Sequence, residues 1–213
     1  SQAEGDRDTA LADRGAALAD RGAGAGERTQ AEGDRDTALA DRGASAKERE
    51  HSSHDDLTGV YLRGAGLVEL ARDMARARRT EETLVLGFAD VDGLKAINDS
   101  RGHAAGDRML LEVANAFREK LRSHDLVIRY GGDEFVCAIS GLDMDSATKR
   151  LALVNENLAA APEHGSITVG LAELQPDDSP KALIARADAA LYRAREAAQS
   201  DAGSQATEAP SAE

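Results

Sequence analysis

Regularly spaced hydrophobic positions are confined to the middle of the chain. Between residues 52 and 198 apolar side chains recur with helical or strand periods, and this stretch holds every aromatic residue. A helix is predicted over 65–79, then a partly β-branched strand over 83–90 (TLVLGFAD). Met109, Leu110, Val113, Ala116, Phe117 and Leu121 mark one face of a helix over 104–121. Two short apolar runs, 126–130 and 135–139, flank Gly131-Gly132 and predict a β-hairpin. A helix over 146–161, a strand over 166–172 and a helix over 180–198 with Pro180 at its start complete the series. The order α, β, α, β-hairpin, α, β, α predicts a sheet with helices packed against it.

The N-terminal segment follows another rule. Ala3 to Ala16 reads AEGDRDTALADRGA, and the same string returns from Ala31 to Ala44. Arg recurs at 7, 14, 21, 28, 35, 42 and 49, each time after Asp or Glu, which is the seven-residue period of a supercoiled helix. The chemistry is poor for one, because the repeating small residue is Ala and glycines at 5, 15, 22, 24, 26, 33 and 43 each cost a helix about 1 kcal/mol. Residues 1–50 therefore read either as a weak coiled coil ordered by dimerisation or as a solvated, disordered extension. Residues 199–213 (QSDAGSQATEAPSAE) carry no apolar period and read as a disordered tail.

Composition narrows the function classes. The 213 residues suffice for one domain with an extension, and 26 Lys and Arg against 39 Asp and Glu leave a net charge of −13. No segment is basic, which argues against a nucleic-acid binder. No stretch of about 18 apolar residues occurs, so no membrane span is expected in the segment given. The chain begins with Ser rather than Met, which leaves room for an upstream segment. Cys137 is the lone cysteine, so neither an internal disulfide nor a cysteine-based zinc site is expected, and a reducing, cytoplasmic compartment fits. In its strand it reads as a small buried hydrophobe. His51, His54, His124 and His164 read as surface or loop residues, His103 as part of a turn, and Tyr130 and Tyr192 as packing residues.

The candidate chemistry is acidic. Asp133 and Glu134 sit at the turn between strands that should be buried, where two carboxylates are costly unless a cation joins them; a plain polar turn is the competing reading. Asp90 and Asp92 close the strand over 83–90, and residues two apart in a strand share a side. Should the two strands be neighbours, four carboxylates converge, a hard-oxygen set suited to Mg²⁺ and its bound phosphates. Asn98 and Asp107 offer the amide and carboxylate that would read a guanine edge, although Asn98-Asp99 also reads as an ordinary turn and Asp107 as a helix decoration.

Together these strings resemble the GGDEF-domain diguanylate cyclases, bacterial enzymes that join two GTP into cyclic di-GMP. The resemblance spans roughly residues 55–199. It rests on Asp56-Leu57-Thr58-Gly59, Asp90-Val91-Asp92, Asn98-Asp99 with Gly102-His103 and Gly106-Asp107, the Arg129-to-Phe135 signature RYGGDEF, Ile167-Thr168-Val169-Gly170, and Ala187-Asp188 with Ala190-Leu191-Tyr192. It implies an α+β fold, an α/β sandwich whose central, mostly antiparallel sheet is flanked by helices over 52–198. It also implies Mg²⁺ (or Mn²⁺) held by Asp90, Val91, Asp133 and Glu134, with Asp133 or Glu134 helping to deprotonate the attacking hydroxyl. Asn98 and Asp107 take the guanine contacts, and Gly93, Leu94, Lys95 and Arg195 take the triphosphate. Asp rather than Ser at 107 favours GTP. Each domain would bind one GTP, so the active site forms when two domains face each other in a homodimer.

Arg122-Ser123-His124-Asp125 resembles the family's R-x-x-D site, where the product binds and restrains the enzyme; a helix-terminal Arg followed by a strand-starting Asp is the plain alternative. The sequence departs from the family at Leu62, where Asn is common, and at Leu94, where Phe is common. Arg195 stands for the usual Lys, and Gln199 for the usual Arg. The last change removes a cationic phosphate contact of the kind that contributes about 1.5–3 kcal/mol, while every implied metal ligand is kept. A competent, slow cyclase is the expected function. The alternative is a catalytically weak or inactive domain that acts as a cyclic di-GMP receptor through Arg122 and Asp125.

Overall fold

A computed structural model describes residues 53–207. The repeat over 1–50 and the end of the expected tail, 208–213, lie outside the described residues. The elements follow in the order β1 (Tyr61–Leu62), α1 (Arg63–Thr80), β2 (Leu84–Val91), α2 (Leu94–Arg101), α3 (His103–Lys120), β3 (Leu126–Arg129), β4 (Glu134–Ser140), α4 (Met144–Ala160), β5 (Ile167–Glu173) and α5 (Pro180–Thr207). They form a five-stranded sheet in the order β1-β3-β4-β2-β5. The short β1 runs parallel to β3, and every other pairing is antiparallel.

Alternation along the strands builds two cores. Val85, Ala89 and Val91 of β2, with Phe135, Cys137 and Ile139 of β4, face Met109, Val113 and Phe117 of α3 and Leu151 and Val154 of α4. On the other side Leu84, Leu86 and Phe88, with Val136 and Ala138, meet Leu70 and Met74 of α1 and Leu183, Ala187 and Leu191 of α5. Both sheet faces are covered, which explains the near-continuous apolar runs of β2 and β4. Burial also pushes the Cys137 thiol up to about 12, so it stays protonated and packs as a small apolar group. Gly170 lets α5 lie directly on β5: a Cβ there would come within 2.0 Å of the Leu191 nitrogen.

Four expectations need correction. A separate helix, α2, covers Leu94–Arg101, so Asn98 and Asp99 are helical rather than in a turn. The predicted helix over 104–121 begins at His103, separated from the end of α2 by Gly102 alone, at φ 81°. The last helix continues through Thr207, so residues 199–207 belong to α5 rather than to a disordered tail. Tyr192 is 64% exposed and does not pack in the core. No helix among the described residues is long and apolar enough to cross a membrane.

Candidate active site

The central strand β2 brings the site together. Asp90, its penultimate residue, is the register partner of Glu134 on β4 and of Thr168 on β5. Val91 donates its N–H to the carbonyl of Asp133 at 3.0 Å, tying the end of β2 to the Gly131-Gly132 turn. The strand end and the hairpin are therefore neighbours. Asp92 lies just past β2 and turns toward β5, accepting from the Ser166 and Thr168 hydroxyls at 2.7 Å each, while its N–H donates to the Ser166 carbonyl at 3.0 Å.

The electrostatics record the crowding. Burial raises the Asp90 pKa; the guanidinium of Arg195, its ion-pair partner, opposes this, and Asp133 and Asp92 add to it. Glu134 is likewise raised by burial and then by Asp133, Asp90 and Asp188, against the pull of Arg63. Arg63 lies 4.1 Å from the centre of the Tyr130 ring and donates to its hydroxyl at 3.0 Å; Tyr130 in turn packs edge-on against Phe88.

The donor chemistry suits a divalent cation: hard oxygens, close in register, whose charges strain one another. As the side chains stand, Asp90 is engaged by Arg195, and no group of three Asp, Glu, His or Cys among the described residues is gathered to hold a metal.

Beside these carboxylates opens a cavity of about 430 Å³ lined by Lys95, Asn98, His103, Asp107, Arg129 and Asp133. Gly93, with φ 72°, turns the chain out of β2 and caps α2, so Leu94 and Lys95 start a helix at the cavity edge. Across the α2–α3 junction the packing is tight. A Cβ on Gly106 would lie 2.1 Å from Asn98 Oδ1, so a larger residue there would push the Asn98 side chain from its present place in the cavity it shares with Asp107. Lys95, Leu94, Asn98, Asp107 and Asp133 thus come together. Arg195 does not line this cavity, and the Gln199 side chain lies outside the described residues.

Arg122 and Asp125 border a different cavity, of about 380 Å³, with His54, Tyr61 and Arg118. The Asp125 carboxylate has no exposed surface; it accepts from the Arg122 N–H at 2.8 Å and the Ser140 N–H at 3.4 Å, closing its own turn. The Arg122 side chain is exposed.

Sequence reasoning missed Asp55. It, rather than Asp56, is the acid of the Asp-x-Leu-Thr string that engages the site: it accepts from the Thr58 N–H at 2.8 Å and hydroxyl at 2.6 Å, and pairs with Arg129 at 2.9 and 3.0 Å. Arg129 also donates to the Gly132 carbonyl at 3.0 Å, so Asp55 holds the residue that braces the signature turn. An Asp three residues before Thr is a turn-capping signal that could have singled it out. Burial raises the Asp55 pKa, but the Thr58 hydrogen bonds and Arg129 outweigh it and hold the carboxyl below its ordinary value.

Residues 52–201 match the family model described as Diguanylate cyclase, GGDEF domain. Among curated relatives, diguanylate cyclase DgcP of Pseudomonas aeruginosa is 35% identical over 157 residues, covering 70% of this chain and 23% of its own length. Diguanylate cyclase TpbB of the same species is 36% identical over 159 residues, covering 68% and 36%. The chain thus spans about a quarter to a third of the length of these relatives. A solved structure of the coiled coil and GGDEF domain of DgcB from Caulobacter crescentus, in complex with c-di-GMP, superposes with a TM-score of 0.69 at 26% identity, covering 79% of this chain and 94% of that one.

Proposed function

The chain belongs to the GGDEF, diguanylate cyclase, domain family, and on that premise we propose that it condenses two GTP into cyclic di-GMP with release of two pyrophosphates. The observation that carries this reading is the register pair Asp90–Glu134 beside a cavity lined by Lys95, Asn98 and Asp107.

One GTP enters each domain. The Asp107 carboxylate accepts from the guanine N–H donors, and the Asn98 amide donates its N–H to a guanine acceptor. The first amides of α2 and the Lys95 ammonium receive the phosphates. Asp90, the Val91 carbonyl, Asp133 and Glu134 would hold Mg²⁺ or Mn²⁺, which would supply charge neutralisation at the transferred phosphoryl group. The 3′-oxygen of one GTP attacks the α-phosphorus of the other, and the bond to pyrophosphate breaks. Asp133 or Glu134, the carboxylates at the signature turn, takes the hydroxyl proton.

Two domains must meet for this reaction, since each offers one nucleotide site. The heptad period of residues 1–50 supports a role as the dimerising element, and the DgcB structure joins a coiled coil to its GGDEF domain. Product inhibition is assigned to the cavity at Arg122, whose exposed guanidinium would clamp a phosphate of cyclic di-GMP. The signature carboxylates are retained, so a purely receptor role is not favoured.

The test is chromatography of the reaction of purified protein with GTP and Mg²⁺, beside Asp133→Ala. Cyclic di-GMP formed by the wild type and lost in the variant is the expected result. No product at any protein concentration overturns the reading. Removal of residues 1–50 with no loss of dimer or activity overturns the role given to the repeat.

A further inference from the structure

Glu163, in the loop between α4 and β5, lies outside every family motif discussed above, yet it is one of the few charged residues buried in the fold. Its side chain is only 5% exposed. Two arginines converge on its carboxylate: Arg108 donates through Nε to Oε1 at 2.8 Å, and Arg101 pairs through Nη1 with Oε2 at 2.7 Å. The Arg108 hydrogen bond, helped by Arg101 and opposed by burial, lowers the Glu163 pKa and keeps it ionised. Its backbone N–H points at both Glu112 carboxylate oxygens, 3.3 Å away and one turn further along α3.

The positions of these arginines give the arrangement its meaning. Arg101 is the last residue of α2, one turn after Asn98, and Arg108 directly follows Asp107 in α3. The two helices are separated by Gly102 alone, a residue with φ 81°, so the backbone between them is a natural pivot. One buried anion therefore pins both sides of the pivot. The same loop ends at Ser166, whose hydroxyl, with that of Thr168 in β5, donates to Asp92 just past the end of β2.

We propose that Glu163 is a positioning residue for purine recognition: through Arg101 and Arg108 it fixes the angle between α2 and α3, and so the spacing of Asn98 and Asp107 across the nucleotide cavity. This rests on the proposed assignment of that cavity to GTP. Ion pairs on an exposed surface contribute little. Here the acceptor is buried, and removing it frees two guanidiniums and the pivot together.

The experiment measures binding of a non-hydrolysable GTP analogue and of its inosine counterpart, which lacks the exocyclic amine, to the full chain with Mg²⁺, beside steady-state cyclase kinetics. Glu163→Ala is expected to weaken the GTP analogue about tenfold through misplaced base contacts. It should shrink the guanosine-over-inosine preference by a similar factor and leave kcat within about twofold. Arg101→Gln removes one tie at an exposed residue without emptying the buried site. It should weaken binding about threefold in the same guanine-selective way, and it decides the matter alone if Glu163→Ala does not fold. A merely structural role would weaken both analogues equally. Unchanged preference in a folded variant, or a fall in kcat at constant KM, overturns the proposal. A wild type that binds the GTP analogue but makes no cyclic dinucleotide overturns the proposed activity and leaves the binding comparison to judge Glu163. A wild type that binds neither analogue overturns both.

Discussion

Asp90 and Glu134 stand opposite each other on β2 and β4; burial raises the proton affinity of both carboxylates, Asp133 adds to each, and Asp90 adds further to Glu134. The fold holds like charges together where a cation would relieve them, at a cost in stability when none is bound. Glu134→Gln should therefore abolish cyclic di-GMP formation while raising the metal-free melting temperature by about 2 °C. Differential scanning calorimetry in a chelator checks the second half, and a lower melting temperature would refute it.

Asp55 behaves in the opposite sense. Its folded-state pKa is lowered, so its contribution to stability is fully present above the ordinary aspartate range and is lost as pH falls through the lowered value. Asp55→Asn should cost about 1–2 kcal/mol at neutral pH, and the gap between wild type and variant should close as pH drops below about 4. Urea denaturation across that range measures it; a gap independent of pH would contradict the assignment.

Arg195 is the cation that answers Asp90 in the structure. Arg195→Ala should lower the metal-free melting temperature and, with the counter-charge gone, strengthen Mg²⁺ binding about two- to fivefold, so that added Mg²⁺ stabilises the variant more than the wild type. Thermal shift against Mg²⁺ concentration reads both effects. Equal responses in the two proteins would mean that Arg195 does not compete for Asp90.

Gly170 is tested by the smallest possible change. A methyl group there meets the backbone of Leu191 and Ala187, which cannot give way as a side-chain tip would. Gly170→Ala should destabilise the domain by about 2–3 kcal/mol, read as a lower urea midpoint at unchanged slope. A near-neutral result would place α5 further from the sheet than described.

Most of the framework was legible in the chain. The apolar runs of β2, β4 and β5 and the periodic faces of α1, α3 and α4 appear within a few residues of their predicted ends, because burial sets their pattern. Asn98 and Asp107, singled out in the sequence as a pair, line the same cavity. What could not be read was α2, which has only Leu94 and Ile97 as large apolar residues and carries Asn-Asp-Ser, a string that favours turns. It is helical because it packs on α3, a tertiary cause. Pairing of Asp90 with Glu134 and Thr168 depends on strand order, which periodicity does not encode. Glu163 was missed for the same kind of reason: it lies in a loop and acquires meaning only when Arg101 and Arg108 arrive from separate helices.

The strand that carries Asp90 is bonded on both edges and roofed on both faces. Its amides at Leu86 and Phe88 should be among the last to exchange with deuterated water, opening only when the whole domain unfolds. A carboxylate mounted on the least yielding part of a molecule does not adapt to a ligand by bending. In the proposed reaction, adjustment between the two nucleotides falls to the parts around this strand, the α2–α3 junction and the meeting of two domains, rather than to the strand itself.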